Sequence, residues 1–367
     1  MITVETYQNS TNEVIKVIGV GGGGGNAVNR MIQSNIIGVE YLAVNTDQQA
    51  LNYSLADTKL VIGQKLTKGL GAGANPEIGA KSAEESLDEI KKEISGSDMI
   101  FITAGMGGGT GTGAASIIAK AAKDMGILTI GIITKPFGFE GMQKMKKANK
   151  GIDELRESVD TLIVIPNDKI LEMASKDLKM EEAFMNANEV LKQGVKGITD
   201  IIKVPGLINV DFADVKTTML NKGVAHMGTG IAKGEGRAVE AAKLAINSPL
   251  LETSVKGASA ILLNITASKD SLTISEFNEA SMFITRAVEN DNAEVIVGTA
   301  YSDEMEDYIS VTVVATGFEE KVEEKIIDCL KAEVIEKVAE IEPIKETQRP
   351  EVEVMHLPSW LVSNKKY

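Results

Sequence analysis

MIFITAGMGGGTGTG, residues 99–113, carries an apolar run directly into a glycine-rich loop. Residues 99–103 predict a buried strand, and the apolar pattern of residues 114–125 after the loop predicts a helix. A glycine loop that opens onto a helix presents unpaired backbone N–H groups and the positive end of the helix dipole, which favour phosphate. This stretch therefore predicts a phosphate-binding turn between a strand and a helix.

The same order of strand, glycine loop and helix occurs near the start of the chain. Residues 14–20 predict a strand, residues 21–25 are five glycines, and residues 26–32 predict a helix. Further apolar strands are predicted at 39–44, 128–134 and 161–165. Such strands alternating with helices indicate an α/β fold, in which a parallel sheet is covered on both faces. Ligands of these sheets bind at the carboxyl ends of the strands, where both glycine loops lie.

The composition argues against several classes of protein. A length of 367 residues predicts about two domains, and a net charge of −14 argues against a nonspecific nucleic-acid binder. One cysteine and two histidines argue against a disulfide framework, a cysteine- or histidine-ligated metal and a histidine-based triad. We expect a cytoplasmic protein without direct membrane insertion, because neither a signal-peptide pattern nor an apolar run of membrane-spanning length occurs.

Glycines are concentrated in three segments, residues 21–25, 69–73 and 105–113. Two separate phosphate-binding segments on neighbouring loops predict a triphosphate that backbone amides hold from both sides. Thr110 and Thr112 add hydroxyl donors to the third segment. Further contacts are expected from the intervening loops, at Asn45, Asp47, Gly71, Ala72 and Gly73.

A nicotinamide-dinucleotide-dependent oxidoreductase is an alternative interpretation. Residues 19–24 satisfy G-x-G-x-x-G, the dinucleotide-binding fingerprint. The acidic ribose ligand of that fold would be Glu40, which lies inside a predicted strand rather than at its end. The second glycine segment is also unexplained by that fold. A Walker loop is excluded, because neither Gly-Lys-Ser nor Gly-Lys-Thr occurs.

The segment GGGTGTG, residues 107–113, resembles the glycine signature of the tubulin superfamily. Neighbouring motifs narrow the resemblance to the FtsZ family, the bacterial cell-division homologues of tubulin. These motifs are GVGGGGGNAVNRM (19–31), VNTDQQAL (44–51), GLGAGANPEIG (69–79), TKPFGFEG (134–141), PGLINVDFADVK (205–216) and INSPLLE (246–252). The resemblance covers residues 14–318, and motifs of this kind in this order are highly specific.

The resemblance implies a tubulin-like fold with a parallel-sheet GTPase domain, a long central helix and a second, smaller α+β domain. The corresponding segments are an N-terminal extension (1–13), the GTP-binding domain (14–179), the central helix (180–204), the activation domain (205–318), an acidic linker (319–354) and a C-terminal peptide (355–367). The implied function is that of a self-assembling GTPase whose protofilaments form the division ring at mid-cell. A tubulin-like filament protein for DNA segregation is a further alternative.

The resemblance also implies a site for GTP or GDP, in which Glu140 binds the ribose, Phe184 stacks on guanine and Asn188 contacts its Watson–Crick edge. Lys144 stands where the family usually has arginine, and a lysine offers a point charge rather than a planar fork. Several relatives carry aspartate in place of Asn188, which leaves base recognition open. The expected nucleotide-binding residues are Gly22, Gly23, Gly24, Asn26, Asn45, Asp47, Gly71, Ala72, Gly73, Gly105, Gly107, Gly108, Gly109, Thr110, Gly111, Thr112, Pro136, Glu140, Lys144, Phe184 and Asn188.

Apolar residues that recur every three or four positions from 181 to 203 predict a long amphipathic helix. At about 1.5 Å per residue, the part from Phe184 to Lys203 spans on the order of 30 Å. Asp211 and Asp214 follow its far end and cannot easily reach a nucleotide bound at its start. The resemblance implies that these carboxylates and Asn209 act on the γ-phosphate of the next subunit in a head-to-tail stack, where they orient or activate water. Mg²⁺ is an expected cofactor that the GTP phosphates mainly hold, and a role for K⁺ is left open.

The second domain is predicted to contain strands at 255–266, 293–299 and 309–316 and a helix at 276–288. His226 lies in a small-residue loop or strand, and we expect a packed or surface histidine without a catalytic role.

The tail allows two interpretations. Residues 319–341 keep an approximate helical period, whereas the family usually has a flexible linker there. Residues 355–367 contain Trp360, the single tryptophan. Through Pro358 and Leu361 this end resembles the family's C-terminal peptide, which docks onto membrane tethers and division regulators.

Overall fold

The computed structural model describes residues 13–173, 178–251 and 254–318, and these residues belong to one compact unit. The predicted acidic linker, the C-terminal peptide with Trp360 and residues 1–12 of the N-terminal extension lie outside the described residues. The helix considered for residues 319–341 therefore stays a prediction.

The strands of the described residues are β1 (Ile15–Val20), β2 (Val39–Asn45), β3 (Thr58–Val61), β4 (Met99–Gly105), β5 (Leu128–Lys135), β6 (Thr161–Pro166), β7 (Gly223–Lys233), β8 (Ala260–Ala267), β9 (Glu294–Tyr301) and β10 (Tyr308–Thr316). The α-helices are α1 (Gly21–Gln33), α2 (Gln48–Asn52), α3 (Gln64–Thr67), α4 (Pro76–Glu85), α5 (Leu87–Ile94), α6 (Thr110–Asp124), α7 (Met142–Ser158), α8 (Asn167–Met173), α9 (Met180–Lys203), α10 (Phe212–Met219), α11 (Arg237–Ile246) and α12 (Ile274–Val288).

These strands form one sheet in the order β3-β2-β1-β4-β5-β6-β7-β10-β8-β9. Strands β1 to β6 are parallel, with Val17 opposite Tyr41 on one side and opposite Phe101 on the other. Strand β7 joins two regions, because its first residues pair in parallel with β6 and its remainder pairs antiparallel with β10. The predicted parallel α/β sheet followed by a smaller mixed α+β region is confirmed.

Alternating side chains of the parallel strands fill two separate cores. Ile15 and Val17 of β1 belong to the core that includes α1 and α9, whereas Ile18 and Val20 belong to the core that includes α6 and α7. A third core lies between the antiparallel strands and helices α11 and α12. Burial on both faces explains why the parallel strands are apolar at nearly every position.

Helix α9 agrees with the predicted amphipathic helix within one residue at its start. Its buried positions include Ala187, Leu191, Val195 and Ile198, which form the expected stripe. Phe184 is different, since 41% of this residue is exposed although it continues the same stripe. The first turns of α9 therefore present an aromatic ring that the core does not bury.

Two predicted helix starts and one strand start were wrong. Helix α1 begins at Gly21 rather than at residue 26, and α6 begins at Thr110 rather than at residue 114. A Cβ on Gly24 would lie 2.3 Å from the Thr103 carbonyl oxygen, so close packing on the strand requires glycine inside the helix. Strand β8 begins at Ala260 rather than at residue 255, after a turn in which Gly257 has a φ of +79°.

The boundaries given above for the domains, the central helix, the linker and the C-terminal peptide remain predictions.

Candidate functional site

A cavity of about 370 Å³ lies at the carboxyl ends of β1, β4, β5 and β6. The amino ends of α1 and α6 form one wall, and the first turns of α9 form another. The lining residues are Gly22, Gly23, Asn26, Gly105, Met106, Gly108, Gly109, Thr110, Gly111, Thr134, Pro136, Glu140, Lys144, Asn167, Phe184, Ala187, Asn188 and Leu191. The position is the one at which parallel α/β sheets bind ligands.

The glycine wall is open to the cavity at some positions and tightly packed at others. A Cβ on Gly22 or Gly108 would meet nothing within 4 Å, so their backbones are directly accessible to a ligand. A Cβ on Gly23 would lie 3.0 Å from the Gly105 nitrogen, which shows how closely the two loops approach each other. Two helix amino ends with bare backbone thus face one cavity, an arrangement suited to several phosphate groups.

The two candidate threonines of α6 occupy different environments. Thr110, the first residue of α6, lines the cavity. The Thr112 hydroxyl is buried and accepts a hydrogen bond of 2.8 Å from the backbone N–H of Gly107. Gly107 has a φ of +98°, which glycine adopts without strain. Thr112 and Gly107 therefore shape the loop, and neither they nor Gly24 line the cavity.

The predicted contacts from the intervening loops lie beside the cavity rather than in its lining. Asp47 caps α2, because its carboxylate accepts hydrogen bonds from the backbone N–H groups of Gln49 and Ala50. Ala72 packs against the glycine wall, since a Cβ on Gly109 would lie 2.8 Å from the Ala72 Cβ. The roles predicted for Asn45, Asp47, Gly71, Ala72 and Gly73 stay predictions.

The far wall carries aromatic and amide groups. The Phe184 ring meets Phe137 edge to face, with centroids 5.2 Å apart, and one turn later Asn188 lines the same cavity. Sequence reasoning missed Asn167, whose residue is 5% exposed. Its Oδ1 is buried without a hydrogen-bond partner among the described residues. A polar residue directly after the β6 strand was the available signal for this site.

Glu140 and Lys144 form an ion pair on the cavity wall. The second oxygen of Glu140, Oε1, accepts a hydrogen bond of 2.9 Å from the Phe137 backbone N–H. The Lys144 side chain also packs on the glycine loop, because a Cβ on Gly107 would lie 2.6 Å from Lys144 Cγ. Glu140 and Lys144, which the resemblance assigned to nucleotide binding, therefore lie in one cluster.

The predicted catalytic residues lie in another part of the molecule, beyond the carboxyl end of α9. Asp211 caps α10 by accepting a hydrogen bond of 2.9 Å from Asp214 N–H, and Asn209 accepts one of 2.8 Å from Gly206 N–H. All three side chains are exposed. Ile208 exchanges hydrogen bonds of 2.9 and 3.1 Å with Thr299 of β9, so this loop is anchored to the mixed part of the sheet.

Comparisons with known proteins give the same fold and add its family. Residues 14–175 match the Tubulin/FtsZ family, GTPase domain, and residues 223–319 match the FtsZ family, C-terminal domain. An empty FtsZ dimer from M. jannaschii is 44% identical, with a TM-score of 0.81 over 85% of this chain and 90% of that chain. The chain belongs to the FtsZ family. A mutant FtsZ from M. jannaschii is also 44% identical, with a TM-score of 0.80 over 84% of this chain and 92% of that chain.

Membership of the FtsZ family identifies the chain as a GTP-binding GTPase of the cytoskeletal and cell-division class. The oxidoreductase alternative is therefore discarded, and its fingerprint at residues 19–24 is part of an FtsZ glycine loop. CetZ2 from Haloferax volcanii, described as a GTPγS-bound protofilament, shares the fold at 22% identity. Its TM-score is 0.71 over 89% of this chain and 99% of that chain.

Two further properties concern the described residues as a set. No three histidine, cysteine, aspartate or glutamate side chains lie together in a way that could hold a metal ion within 13–173, 178–251 and 254–318. In the same ranges no helix is long and apolar enough to cross a membrane.

His226 lies on β7 and packs edge to face on Phe318, with ring centroids 4.8 Å apart.

Proposed function

We propose that the chain is a filament-forming GTPase that completes its active site only when one subunit meets the next. The observation that carries this proposal is the separation between two sets of residues. The nucleotide cavity lies at the amino end of α9, whereas Asn209, Asp211 and Asp214 follow its carboxyl end. The α9 helix from Phe184 to Lys203 is on the order of 30 Å long, which is too far for hydrolysis within one subunit.

In the proposed binding mode, the triphosphate lies against the amino ends of α1 and α6. Backbone N–H groups of Gly22, Gly108 and Gly109 and the Thr110 hydroxyl donate to its oxygens. The accessible backbones of Gly22 and Gly108 and the two helix dipoles support this orientation. Glu140 accepts from a ribose hydroxyl, and Lys144 supplies a positive charge beside it.

The base then lies between the far wall and solvent. Phe184 stacks on one face of guanine, and its exposure, in contrast to the buried stripe that it continues on α9, supports this role. Asn188 and Asn167 contact the polar edge of the base. An amide offers one acceptor and two donors, so the Oδ1 of Asn167, which is buried without a hydrogen-bond partner among the described residues, can accept from the N–H groups of guanine. Guanine carries N–H donors at N1 and N2 on that edge, whereas N1 of adenine is an acceptor, so amide oxygens that accept hydrogen bonds there favour guanine.

In the proposed hydrolysis step, the loop of the adjacent subunit brings Asp214 to the γ-phosphate. The Asp211 carboxylate caps its own helix, and it thereby fixes the start of α10 and the direction of Asp214. Asp214 accepts a proton or a hydrogen bond from the attacking water, while Asn209 helps to orient that water. The donor groups of the cavity suit phosphate oxygens, and Mg²⁺ bound to those oxygens would neutralise their charge.

Self-association is part of the same proposal. The 44% identical FtsZ from M. jannaschii is described as a dimer, which supports assembly of this chain with itself. A head-to-tail contact that does not close into a ring propagates into a filament. Attachment of the filament to membrane tethers and regulators through residues 355–367, and location in the cytoplasm at mid-cell, follow from the sequence resemblance alone.

The test is to measure GTP binding, sedimentation and phosphate release over a range of protein concentrations. We expect GTP-dependent sedimentation and a phosphate-release rate per subunit that rises steeply once filaments form. ATP and NAD serve as matched ligands that should not support either process. A rate per subunit that is independent of concentration would contradict the shared site, and retention of NAD in place of a guanine nucleotide would contradict the nucleotide assignment.

A further inference from the structure

A buried threonine lies directly behind the phosphate-facing wall. Thr46, between the end of β2 and the start of α2, is 0% exposed. Its hydroxyl oxygen lies 2.6 Å from the hydroxyl oxygen of Thr110, and either one could be the donor. Thr110 in turn lines the nucleotide cavity. The two hydroxyls therefore form a short chain that runs from the interior to the cavity.

Counting protons fixes the direction of this chain once an anion is present. Each hydroxyl has one proton to donate, and a phosphate oxygen at neutral pH mainly accepts. If Thr110 donates its proton to phosphate, the Thr46–Thr110 hydrogen bond can survive only with Thr46 as its donor. Among the described residues the Thr46 hydroxyl has no other hydrogen-bond partner, so its proton is available for Thr110.

We propose that Thr46 is a positioning residue for nucleotide binding, which makes Thr110 a dedicated donor to the bound phosphates. The inference rests on the proposed function, because it requires phosphate at the amino end of α6. Donation from Thr46 polarises the Thr110 hydroxyl and holds its oxygen in place, so the proton points toward the cavity. Hydrogen bonds in a chain strengthen one another in this way, and bonds to a charged acceptor are the stronger ones.

The backbone of Thr46 has a separate role, which a side-chain substitution leaves intact. Its carbonyl oxygen accepts hydrogen bonds from Gly71 N–H at 3.1 Å and from the Thr67 hydroxyl at 3.4 Å. Thr46→Val keeps this carbonyl and nearly the same shape, and it removes only the hydroxyl. Thr67→Val is the matched control, because it removes a buried hydroxyl from the same neighbourhood that does not contact Thr110.

The experiment measures dissociation constants of the full-length protein for GTP, GDP and guanosine. Thr46→Val should bind GTP and GDP about tenfold more weakly, the loss expected for one hydrogen bond in a charged network. Its affinity for guanosine, which has no phosphate, should not change. Thr46→Ser should bind all three ligands as the wild type does, and so should Thr67→Val. In a Thr110→Val background, Thr46→Val should cause no further loss.

The outcomes separate this inference from the proposed function. If the wild type binds no guanine nucleotide, the proposed function itself fails. The wild type could bind GTP and Thr110→Val could weaken this binding while Thr46→Val binds GTP normally. That result would overturn the positioning role of Thr46 and leave the proposed function intact. An equal loss of guanosine affinity in Thr46→Val would also overturn it, since that indicates a distorted site. Should Thr46→Val fail to fold, Thr46→Ala carries the same measurements.

Discussion

Glu140 forms an ion pair with Lys144 on the wall of the nucleotide cavity. The lysine charge compensates the negative charge of the carboxylate in the cavity that would receive a triphosphate. Lys144→Met should therefore weaken GTP binding about tenfold, because it leaves the negative charge of Glu140 uncompensated in the cavity that receives the triphosphate. Lys144→Arg, which restores the residue usual in the family, should bind within about threefold of the wild type. Titration with a fluorescent GTP analogue measures both effects.

Lys150→Met is the matched control for that prediction. Lys150 forms an ion pair with Glu154 on the same helix, α7, but its side chain is 77% exposed and away from the cavity lining. This variant should bind as the wild type does. Equal affinities of Lys144→Met and the wild type would show that the pair does not face the nucleotide.

Base recognition can be tested on α9. Asn188→Ala should reduce affinity for GTP about tenfold or more and narrow the preference for GTP over ATP, because one amide contact to the base is lost. Asn186→Ala is the control, since Asn186 lies on the same helix but outside the lining of this cavity. Competition binding with GTP and ATP measures this preference in each variant. An unchanged preference in Asn188→Ala would exclude it from base recognition.

Three glycines of α1 should respond to alanine in three different ways. Gly24→Ala should destabilise the fold by about 3 kcal/mol, because its Cβ would lie 2.3 Å from the Thr103 oxygen. Gly22→Ala should fold normally but bind GTP weakly, because its methyl group would occupy open space in the cavity. A Cβ on Gly25 would also lie in open space, but outside that cavity. Gly25→Ala should therefore bind GTP as the wild type does, and its free energy of unfolding should rise by up to about 1 kcal/mol.

Urea unfolding and GTP titration of the three variants give both readouts. Normal stability of Gly24→Ala would contradict the close packing of α1 on β4. Full GTP affinity in Gly22→Ala would contradict the orientation of the phosphates.

The glycine variants also illustrate what the sequence could and could not predict. Apolar runs predicted the parallel strands well, because burial on both faces leaves little choice of residue. The predicted starts of α1 and α6 were wrong, because glycine is a poor helix former and sequence patterns do not place it inside a helix. Only tertiary contacts explain the glycines in the first turns of these two helices. Gly113 shows the same effect, because a Cβ on it would lie 1.9 Å from the Pro76 oxygen of α4.

The candidate site shows a similar division. The motifs predicted most of the glycine wall and placed Phe184 and Asn188 in the same site, because these positions carry the family pattern. Asn167 was missed, because no local spacing distinguishes it from any polar residue after a strand. Thr46 was missed for a different reason: its hydroxyl reaches Thr110 across 64 positions of sequence, which periodicity cannot detect.

A partly buried ion pair between Arg237 of α11 and Glu276 of α12 should make the free energy of unfolding depend on pH. Burial raises the pKa of Glu276, but hydrogen bonds from Arg237 and Thr273 outweigh it and hold the pKa below its ordinary value. The Arg237–Glu276 pair has a contact of 2.7 Å, and Arg237 also donates to the Asp307 carbonyl at 2.7 Å. Because the folded pKa is lowered, the stabilisation is complete above the ordinary glutamate pKa of about 4.3 and declines as pH falls through the folded value.

Glu276→Gln should lower the free energy of unfolding at pH 7 by about 1–3 kcal/mol. The difference from the wild type should shrink as pH falls below about 4.3, because the wild-type carboxylate is then protonated. Glu279→Gln, an exposed position on the same helix, should have little effect at either pH. Urea denaturation at both pH values provides the measurement, and a difference that stayed constant with pH would rule out the ion pair as its source.

The central claim is that one active site is built from two subunits, and phosphate release from a mixture of two inactive variants tests it most directly. Asp214→Ala should bind GTP and assemble but hydrolyse little. Gly108→Asp should bind no GTP, because it places a carboxylate in open space among the phosphates, but it keeps the Asp214 loop. In the control mixture, the double variant Gly108→Asp/Asp214→Ala replaces Gly108→Asp, so that no subunit carries an intact loop.

If the two single variants co-assemble at random, about a quarter of their contacts join a GTP-loaded cavity to an intact loop. Phosphate release in the equimolar mixture should then reach about a quarter of the wild-type rate, and the control mixture should stay inactive. Wild-type hydrolysis by Asp214→Ala alone, or an inactive mixture that co-sediments as filaments, would contradict the shared active site.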